Sequence, residues 1–339
     1  MKENKSSRVR IAQIGVGYWG PNLLRNFVSN EDCDVVRVVD LSKERRSFVR
    51  GLYPSIKVSG KVEDIINDAT IQAVVIASPV GSHFELAMKC LKAGKSIMVE
   101  KPMATSAVEC AEIGALAERQ ALVAMVGHTF LYNSSVRYVK ELIDKGVLGD
   151  IRYIYSQRLN LGRIRSDVDA LWNLAPHDVS IIQYWLGEPE PMAVQRYGNA
   201  YVQEGIDDVV FMNIKYPNGV MANIHVSWLD PHKIRRMAVV GSEKMVVYDD
   251  VADNKIAIYD KGIDRMSVLG ENMDFDNSNS FTFNHRSGDV VLPKTEANEP
   301  LAVEVGHFID CIKNGARCLT DAAHAERVVR ILELGSGKS

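Results

Sequence analysis

Cysteine is scarce and unpatterned in this chain. The five cysteines, at 33, 90, 110, 311 and 318, form an odd count with no C-x-x-C pair. That spacing argues against a zinc knuckle and a disulfide framework, so no metal is expected, and it suits a reducing compartment. Long apolar runs are also missing, and no stretch is long enough to cross a bilayer. Residues 1–10 are polar and lack the apolar segment of a secretion signal. The expectation is a soluble, cytoplasmic protein with no membrane partner. An excess of positive charge is absent too. Lys and Arg number 40 against 43 Asp and Glu, a formal net charge of −3. Proteins that grip nucleic acid by neutralising phosphates are usually basic, so nucleic acid is not an expected partner.

What is present fits a globular protein of two domains. The chain has 339 residues, 46% of them hydrophobic, too many for one ordinary domain. Through residue 125, short apolar runs (9–14, 35–39, 73–77, 96–99 and 122–126) alternate with helical stretches at 22–28, 43–51, 62–67, 84–93 and 107–119. Runs of this kind fit strands buried on both faces, and their alternation with helices predicts a doubly wound parallel sheet. Beyond a helical segment at 136–145 the period changes to two. Alternating strands are expected at 151–159, 209–216, 220–228, 234–240 and 245–248, with Pro217-Asn218-Gly219 as a hairpin turn. Helices are expected at 171–186, 301–312 and 322–334, and an irregular loop at 270–284. The division expected is therefore 1–125 and 126–339, an α/β domain followed by an α+β domain with an open-faced, mainly antiparallel sheet. The last two helices are candidates to return to the first domain.

The first chemical signal is Gly15-Val16-Gly17-Tyr18-Trp19-Gly20, a G-x-G-x-x-G motif between an apolar strand and a helix. Gly15 permits the tight turn, Gly17 lets backbone approach a pyrophosphate, and Gly20 lets the helix pack closely. The pyrophosphate would sit on helix N–H groups beside Tyr18 and Trp19. Asp40 ends the second apolar run, twenty residues after Gly20. A carboxylate there accepts both ribose hydroxyls of NAD and repels the 2′-phosphate of NADP. The competing reading gives the glycines a packing role and makes Asp40 the cap of the next helix.

Glu100-Lys101-Pro102 follows the next-to-last apolar run of the first domain, at the carboxyl end where ligands of parallel sheets bind. Proline biases Lys101 away from helix and holds it at the strand tip. Together, the glycine motif, Glu100-Lys101-Pro102 and the distant His177 resemble the Gfo/Idh/MocA family of sugar and cyclitol oxidoreductases, over nearly the whole chain. Ser78-Pro79, with His83 four residues after the proline, is similar to a further family motif, although Val80 replaces the usual Asn. The resemblance implies a Rossmann domain with a second domain whose sheet mediates dimers or tetramers. It also implies cofactor contacts from Ser78, Pro79, His83, Glu100 and Lys101, and a catalytic pair, Lys101 and His177. His177 is placed at the head of a helix. Asn173 stands where the family often has Asp, so no carboxylate relay runs through it; Asp178 is not its substitute. Histidine's ordinary pKa of about 6.5 suits a base for an alcohol proton. Lys101 would stabilise the alkoxide, or exchange the proton itself.

For the substrate, Asn160 to Arg165 and Pro231 to Arg236 concentrate cations in an acidic protein. Arg163, Arg165, Lys233 and Arg235 suit a diphosphate, and Asn160, Asn173 and His177 suit a sugar ring. The Trp19 loop and the Leu174-Ala175-Pro176-His177-Asp178 segment resemble the branches acting at C3 of nucleotide-linked hexoses, a UDP- or dTDP-sugar. An inositol or free-sugar dehydrogenase stays open, as does a non-catalytic NAD- and sugar-binding sensor, the class that Asn173 favours and that Lys101 and His177 disfavour.

Overall fold

The computed structural model describes residues 8–267 and 281–337. It divides into two compact units, one of Met1–Asn133, Val179–Gln183 and Ala297–Ser339, the other of Ser134–Asp178 and Tyr184–Glu296.

The first unit is built on six parallel strands: β1 (Val9–Ile14), β2 (Cys33–Val39), β3 (Lys57–Ser59), β4 (Ala73–Ile76), β5 (Ser96–Glu100) and β6 (Ala124–Gly127). Their order across the sheet is β3-β2-β1-β4-β5-β6. The sheet reverses its winding between β1 and β4, the point where such folds form a ligand crevice at the strands' carboxyl ends. The apolar runs form strands because both faces are covered: all of β4 and β6 is buried. The helices are α1 (Gly20–Ser29), α2 (Lys43–Leu52), α3 (Glu63–Ile66), α4 (His83–Lys92) and α5 (Ala107–Arg119). Ser42 and Ser106 cap α2 and α5 by accepting the N–H of Arg45 and Glu109. Gly94 follows α4 with φ of 72°, a left-handed residue ending the helix. The expected boundary at 125 falls inside β6, which pairs with β5, so the first unit continues to Asn133.

Two late helices complete this unit, α8 (Pro300–Asn314) and α9 (Ala322–Gly335), once the second unit's α6 and α7 are counted. Phe308 of α8 meets Phe27 of α1 edge to face at 6.2 Å. α9 packs on α5. Val126 N–H donates to the Thr320 carbonyl at 2.8 Å, extending the sheet's edge with residues from late in the chain.

The second unit contains α6 (Ser134–Asp144), most of α7 (Ala170–Leu186) and eight strands. These are β7 (Ile151–Leu159), β8 (Ala193–Asn199), β9 (Val209–Lys215), β10 (Met221–Ser227), β11 (Ile234–Gly241), β12 (Met245–Asp249), β13 (Ile256–Ser267) and β14 (Phe281–Val291). Their order is β14-β13-β12-β11-β7-β10-β9-β8. All pairs are antiparallel except β7 with β10. Alternation sorts the faces: Val210, Met212, Ile214, Ala222, Ile224 and Val226 are buried, while Phe211, Met221, Tyr153 and Tyr197 are exposed. On the open face Phe211 stacks on His225 with centroids 4.1 Å apart. On the covered side, Trp185 of α7 donates Nε1–H to the Val136 carbonyl of α6 and meets Tyr248 edge-on. β8, β13 and β14 were not expected from the sequence. Of the expected loop at 270–284, residues 281–284 belong to β14 and the rest lies outside the described residues.

Candidate functional site

The glycine loop leaves β1 and enters α1, and its three glycines differ in what surrounds them. Gly15 has φ of 91°, and a Cβ there would lie 2.5 Å from the Ala77 carbonyl oxygen. A Cβ on Gly20 would lie 2.6 Å from the Gly15 oxygen. Both positions are closed by backbone, so the turn itself demands glycine. Gln13 braces the turn from beneath, donating Nε2–H to the carbonyls of Gly15 and Gly20 at 2.9 Å each. Gly17 differs: its Cβ would meet only the end of the Arg45 side chain, 3.3 Å away. The fold needs no glycine there, and the space is left for something else. α1 begins with no capping side chain and no acid in its first turn. Its uncapped N–H groups and positive dipole end suit an anion, so these residues fit a dinucleotide pyrophosphate. Tyr18 is exposed, and the Trp19 side chain hydrogen-bonds Glu100.

Asp40 lies beside this loop and is buried. Its Oδ2 accepts the Val16 N–H and its Oδ1 the Ser42 N–H, each at 2.8 Å. The cap of the next helix, weighed for Asp40 in the sequence, is supplied by Ser42 instead, while Asp40 braces the glycine loop and the turn before α2. Each oxygen retains a lone pair, so a ribose hydroxyl is still accommodated. Arg45 stands 3.8 Å from Oδ2, and Arg46 donates to the Asp40 carbonyl at 2.6 Å. These cations on α2 are the neighbours that reading Asp40 alone overlooked.

Ser78, Pro79 and His83 follow β4. His83 is buried, with Nδ1 2.9 Å from the Pro102 oxygen and Nε2 2.8 Å from the Ser78 oxygen. A cofactor contact is expected of His83; both its ring nitrogens face backbone carbonyls, and the ring ties the end of β4 to the turn after β5. Burial pushes its pKa down. Ser78 Oγ lies 2.7 Å from Ser82 Oγ. The Lys101–Pro102 peptide is cis. Glu100 accepts the Lys101 N–H on Oε2 at 3.2 Å, and burial pushes its carboxyl up to about 7, against the opposing charge of Lys101.

Behind this turn lie residues that the sequence reading missed. His128 Nδ1 is 2.9 Å from His324 Nε2, and Thr129 donates its hydroxyl to Glu304 Oε2 at 2.7 Å. Cys311, Cys318 and His307 also gather, their ligand atoms within 4.8 Å. Cys318 and His307 bring the Cys311 thiol down to about 5. His307 Nε2 already accepts the Leu319 N–H at 3.0 Å, so the group forms a hydrogen-bonded cluster.

In the second unit α7 starts at Ala170, with Asp169 Oδ1 accepting the Trp172 N–H at 2.9 Å. His177 is thus inside the helix, not at its head. Asn173 and His177 are four residues apart and share a face. Asn173 Oδ1 accepts the Trp228 Nε1–H at 3.2 Å. Asp178 is buried and engaged elsewhere, with Arg158 Nε at 2.7 Å and Ser156 Oγ at 2.6 Å. That explains physically why it does not replace a carboxylate at 173.

The two cation-bearing loops meet at one end of the sheet, because Leu159 pairs with both Ser227 and Ile234. Asn160 folds over Gly162 there. The four cations are not equivalent. Arg165 makes a two-pronged ion pair with Asp167 at 2.8 and 2.6 Å, and Arg235 pairs with Asp250 at 3.3 Å. Arg163 and Lys233 are exposed and make no ion pair among the described residues.

Comparison with known proteins agrees with this geometry. Residues 9–128 match the model of an oxidoreductase family with an NAD-binding Rossmann fold, Gfo/Idh/MocA. Residues 136–247 match the model of the Gfo/Idh/MocA C-terminal domain. The NADP-dependent scyllo-inositol 2-dehydrogenase IolW of Bacillus subtilis is 30% identical over 49% of this chain and 46% of its own length. The chain spans 60% and 58% of the lengths of two other curated relatives. Among solved structures, the UDP-N-acetylglucosamine 3-dehydrogenase GnnA of Acidithiobacillus ferrooxidans superposes with a TM-score of 0.79 at 22% identity, covering 97% of each chain. The WlbA dehydrogenase of Bordetella pertussis, in complex with NADH and UDP-GlcNAcA, gives 0.79 at 17% identity over 98% of this chain and 95% of that one. At these identities the two structures report the fold.

Proposed function

The chain belongs to the Gfo/Idh/MocA oxidoreductase family, and from that premise we propose that it moves hydride between NAD and a sugar secondary alcohol, C3 of a UDP- or dTDP-linked hexose. The observation that carries the cofactor half is Gly17, a glycine that no backbone contact requires, beside an uncapped helix N-terminus. Asp40 supports NAD over NADP, since its carboxylate suits two ribose hydroxyls and repels a phosphate. The dinucleotide, when bound, accepts or returns the hydride.

The rest of the chemistry falls to this chain's own residues. His177 takes the hydroxyl proton as the alcohol is oxidised and returns it in the reverse direction. Lys101 steadies the negative charge growing on that oxygen. Asn173 offers an amide to a ring hydroxyl and no acid to the proton path. Arg163 and Lys233, which make no ion pair among the described residues, support a diphosphate on the substrate. A free inositol is the second reading, favoured by the neutralised Arg165 and Arg235 and by similarity to an inositol dehydrogenase.

Turnover of a panel of nucleotide sugars and polyols, followed by NADH absorbance, tests the choice. Arg163→Ala should raise KM for the nucleotide sugar with little change in kcat, since the contact acts in ground and transition states alike. Arg165→Ala should do much less. Robust oxidation of myo-inositol with no nucleotide-sugar binding by calorimetry would overturn the substrate assignment.

A further inference from the structure

One side-chain cluster in the first unit takes no part in the chemistry proposed above. His307 and Cys311 are four residues apart on α8 and share a face. The helix ends at Asn314, and Gly315, with φ of 67°, turns the chain. Residues 315–318 have no regular structure and carry Cys318 back to that face. The two sulfurs and one ring nitrogen of His307 all lie within 4.8 Å of one another. Cys311 Sγ is 3.5 Å from His307 Nε2, the nitrogen that accepts the Leu319 N–H at 3.0 Å. Both thiols are free. Cys311 is buried, while Cys318 is half-buried and follows the exposed Arg317.

Bonded sulfurs lie about 2.05 Å apart, so these two need to close by less than about 3 Å. The segment that has to move is the irregular one, not the helix. We propose that Cys311 and Cys318 are a dithiol site for hydrogen peroxide, with Cys311 as the nucleophile, Cys318 as its resolving partner and a disulfide across the turn between α8 and α9 as the product. Cys311 gives its proton to His307 Nε2 and its sulfur attacks one peroxide oxygen. The O–O bond breaks, the sulfur keeps one oxygen as a sulfenic acid, and the other leaves with the proton as water. The Cys318 sulfur then attacks the Cys311 sulfur. The S–O bond breaks, and the departing hydroxide takes the Cys318 proton as a second water. Two thiols are oxidised by two electrons, and the peroxide is reduced by the same two.

The surroundings separate this pair from the other three cysteines. The Cys318 S–H donates to the Cys311 sulfur, and with His307 it holds that thiol down to about 5 against burial and the nearby Asp310. The same hydrogen bond, with burial, pushes Cys318 up. One sulfur is a ready thiolate and its neighbour a thiol, the division that a sulfenic acid and its resolving partner need. Cys33, Cys90 and Cys110 are buried, and burial pushes each of their thiols up to about 12. Burial of Cys311 suits an oxidant as small as hydrogen peroxide and shuts out a bulky disulfide. A metal ion on Nε2 would have to displace the Leu319 N–H.

Peptide mapping of the full chain after hydrogen peroxide treatment at neutral pH tests this. Trypsin cuts after Lys313 and Arg317, so a Cys311–Cys318 bond leaves two peptides joined through sulfur, which dithiothreitol parts. The joined pair should form at least about 30-fold faster than Cys33, Cys90 or Cys110 is oxidised, the thiolate gained at neutral pH over a thiol of ordinary pKa about 8.5. Cys318→Ser should stop at a sulfenic acid on Cys311, trapped by dimedone, and Cys311→Ser should leave Cys318 reduced over the same time. Should a variant fail to fold, the wild type decides alone: no joined peptides, or five cysteines oxidised at similar rates, overturns the site. Sulfenic acid trapped on Cys318 in Cys311→Ser as fast as on Cys311 in Cys318→Ser overturns the division of roles. A chain purified with one equivalent of zinc, its thiols inert to peroxide until a chelator is added, would overturn the dithiol in favour of a metal centre.

Discussion

Gly17→Ala separates what the glycine loop does for folding from what it does for binding. The added methyl meets only Arg45 Nη1, at 3.3 Å from the Cβ position, at the end of a half-exposed flexible side chain. Gly17 is not among the positive-φ residues, so alanine adopts its backbone without strain. Such replacements stabilise by about 0.4–1 kcal/mol through the unfolded chain, which offsets a small shift of Arg45. The melting temperature should therefore move by about 2 °C or less. Binding should respond very differently. Under the proposed cofactor role, the methyl fills the gap through which a pyrophosphate would reach the N–H groups of α1. Losing one or two charge-assisted hydrogen bonds costs about 2–3 kcal/mol, or roughly 30- to 150-fold in Kd. Gly15→Ala is the control. Its methyl would sit 2.5 Å from the Ala77 oxygen at φ of 91°. Left-handed strain alone costs about 1–2 kcal/mol, and the overlap brings the total to about 3 kcal/mol or more. NADH fluorescence titration and thermal unfolding of the three proteins give both numbers. If Gly17→Ala binds NADH within about threefold of wild type, or melts as low as Gly15→Ala, the division of roles is wrong.

Lys101→Ala and His177→Ala should each lower turnover by roughly 100- to 10,000-fold with NADH binding retained, the range for acid–base groups; near-normal kcat in either variant removes that residue from the mechanism. Stability should fall with rising pH through the Glu100 titration. The folded pKa of about 7 exceeds the ordinary value of 4.5, so the folded state holds the extra proton, and the contribution is full below the ordinary value and lost as pH climbs to about 7. Denaturant unfolding across that window should show a shallower pH slope in Glu100→Gln; an unchanged slope means that Glu100 does not titrate there. The open face of the second sheet, with Tyr153, Tyr197, Phe211 and Met221 exposed, is proposed to pair copies of the chain as a dimer or tetramer. A monomer by light scattering at micromolar concentration would contradict that.

Much of the first unit was legible because burial on both faces leaves a strong mark. The helix expected at 107–119 is α5 residue for residue, since Ser106 caps one end and the apolar period runs to the other. β4 and β6 are apolar throughout. The strands that escaped notice are β3 at the edge of the first sheet and β8, β13 and β14 toward the margins of the second. β8 has no buried residue, so no apolar alternation announces it. In the glycine loop, the turn at Gly15 and the close packing at Gly20 were readable because those roles are local. Glu304 and His324 were not, since their partners Thr129 and His128 lie 175 and 196 residues away. Local sequence could have flagged Arg165, because Asp167 is two residues on and neutralises it. The helix expected at 171–186 agrees with α7 to one residue, and within it His177 stands in the interior rather than at the head.

The first unit draws α8 and α9 from beyond Ala297, and this bears on the chain's history on the ribosome. The segments that will frame the dinucleotide emerge early, yet Phe27 waits for Phe308, Val126 for Thr320 and His128 for His324. Until then the emerging β6 edge and the α1 surface stay uncovered, while the sheet of the second unit is synthesised in between. The intervening unit can close on itself first, so the order of synthesis and the order of completion run opposite ways. A nascent chain stalled before residue 297 would hold a finished second unit and an unfinished first one, and its sticky surface would be the dinucleotide-binding half.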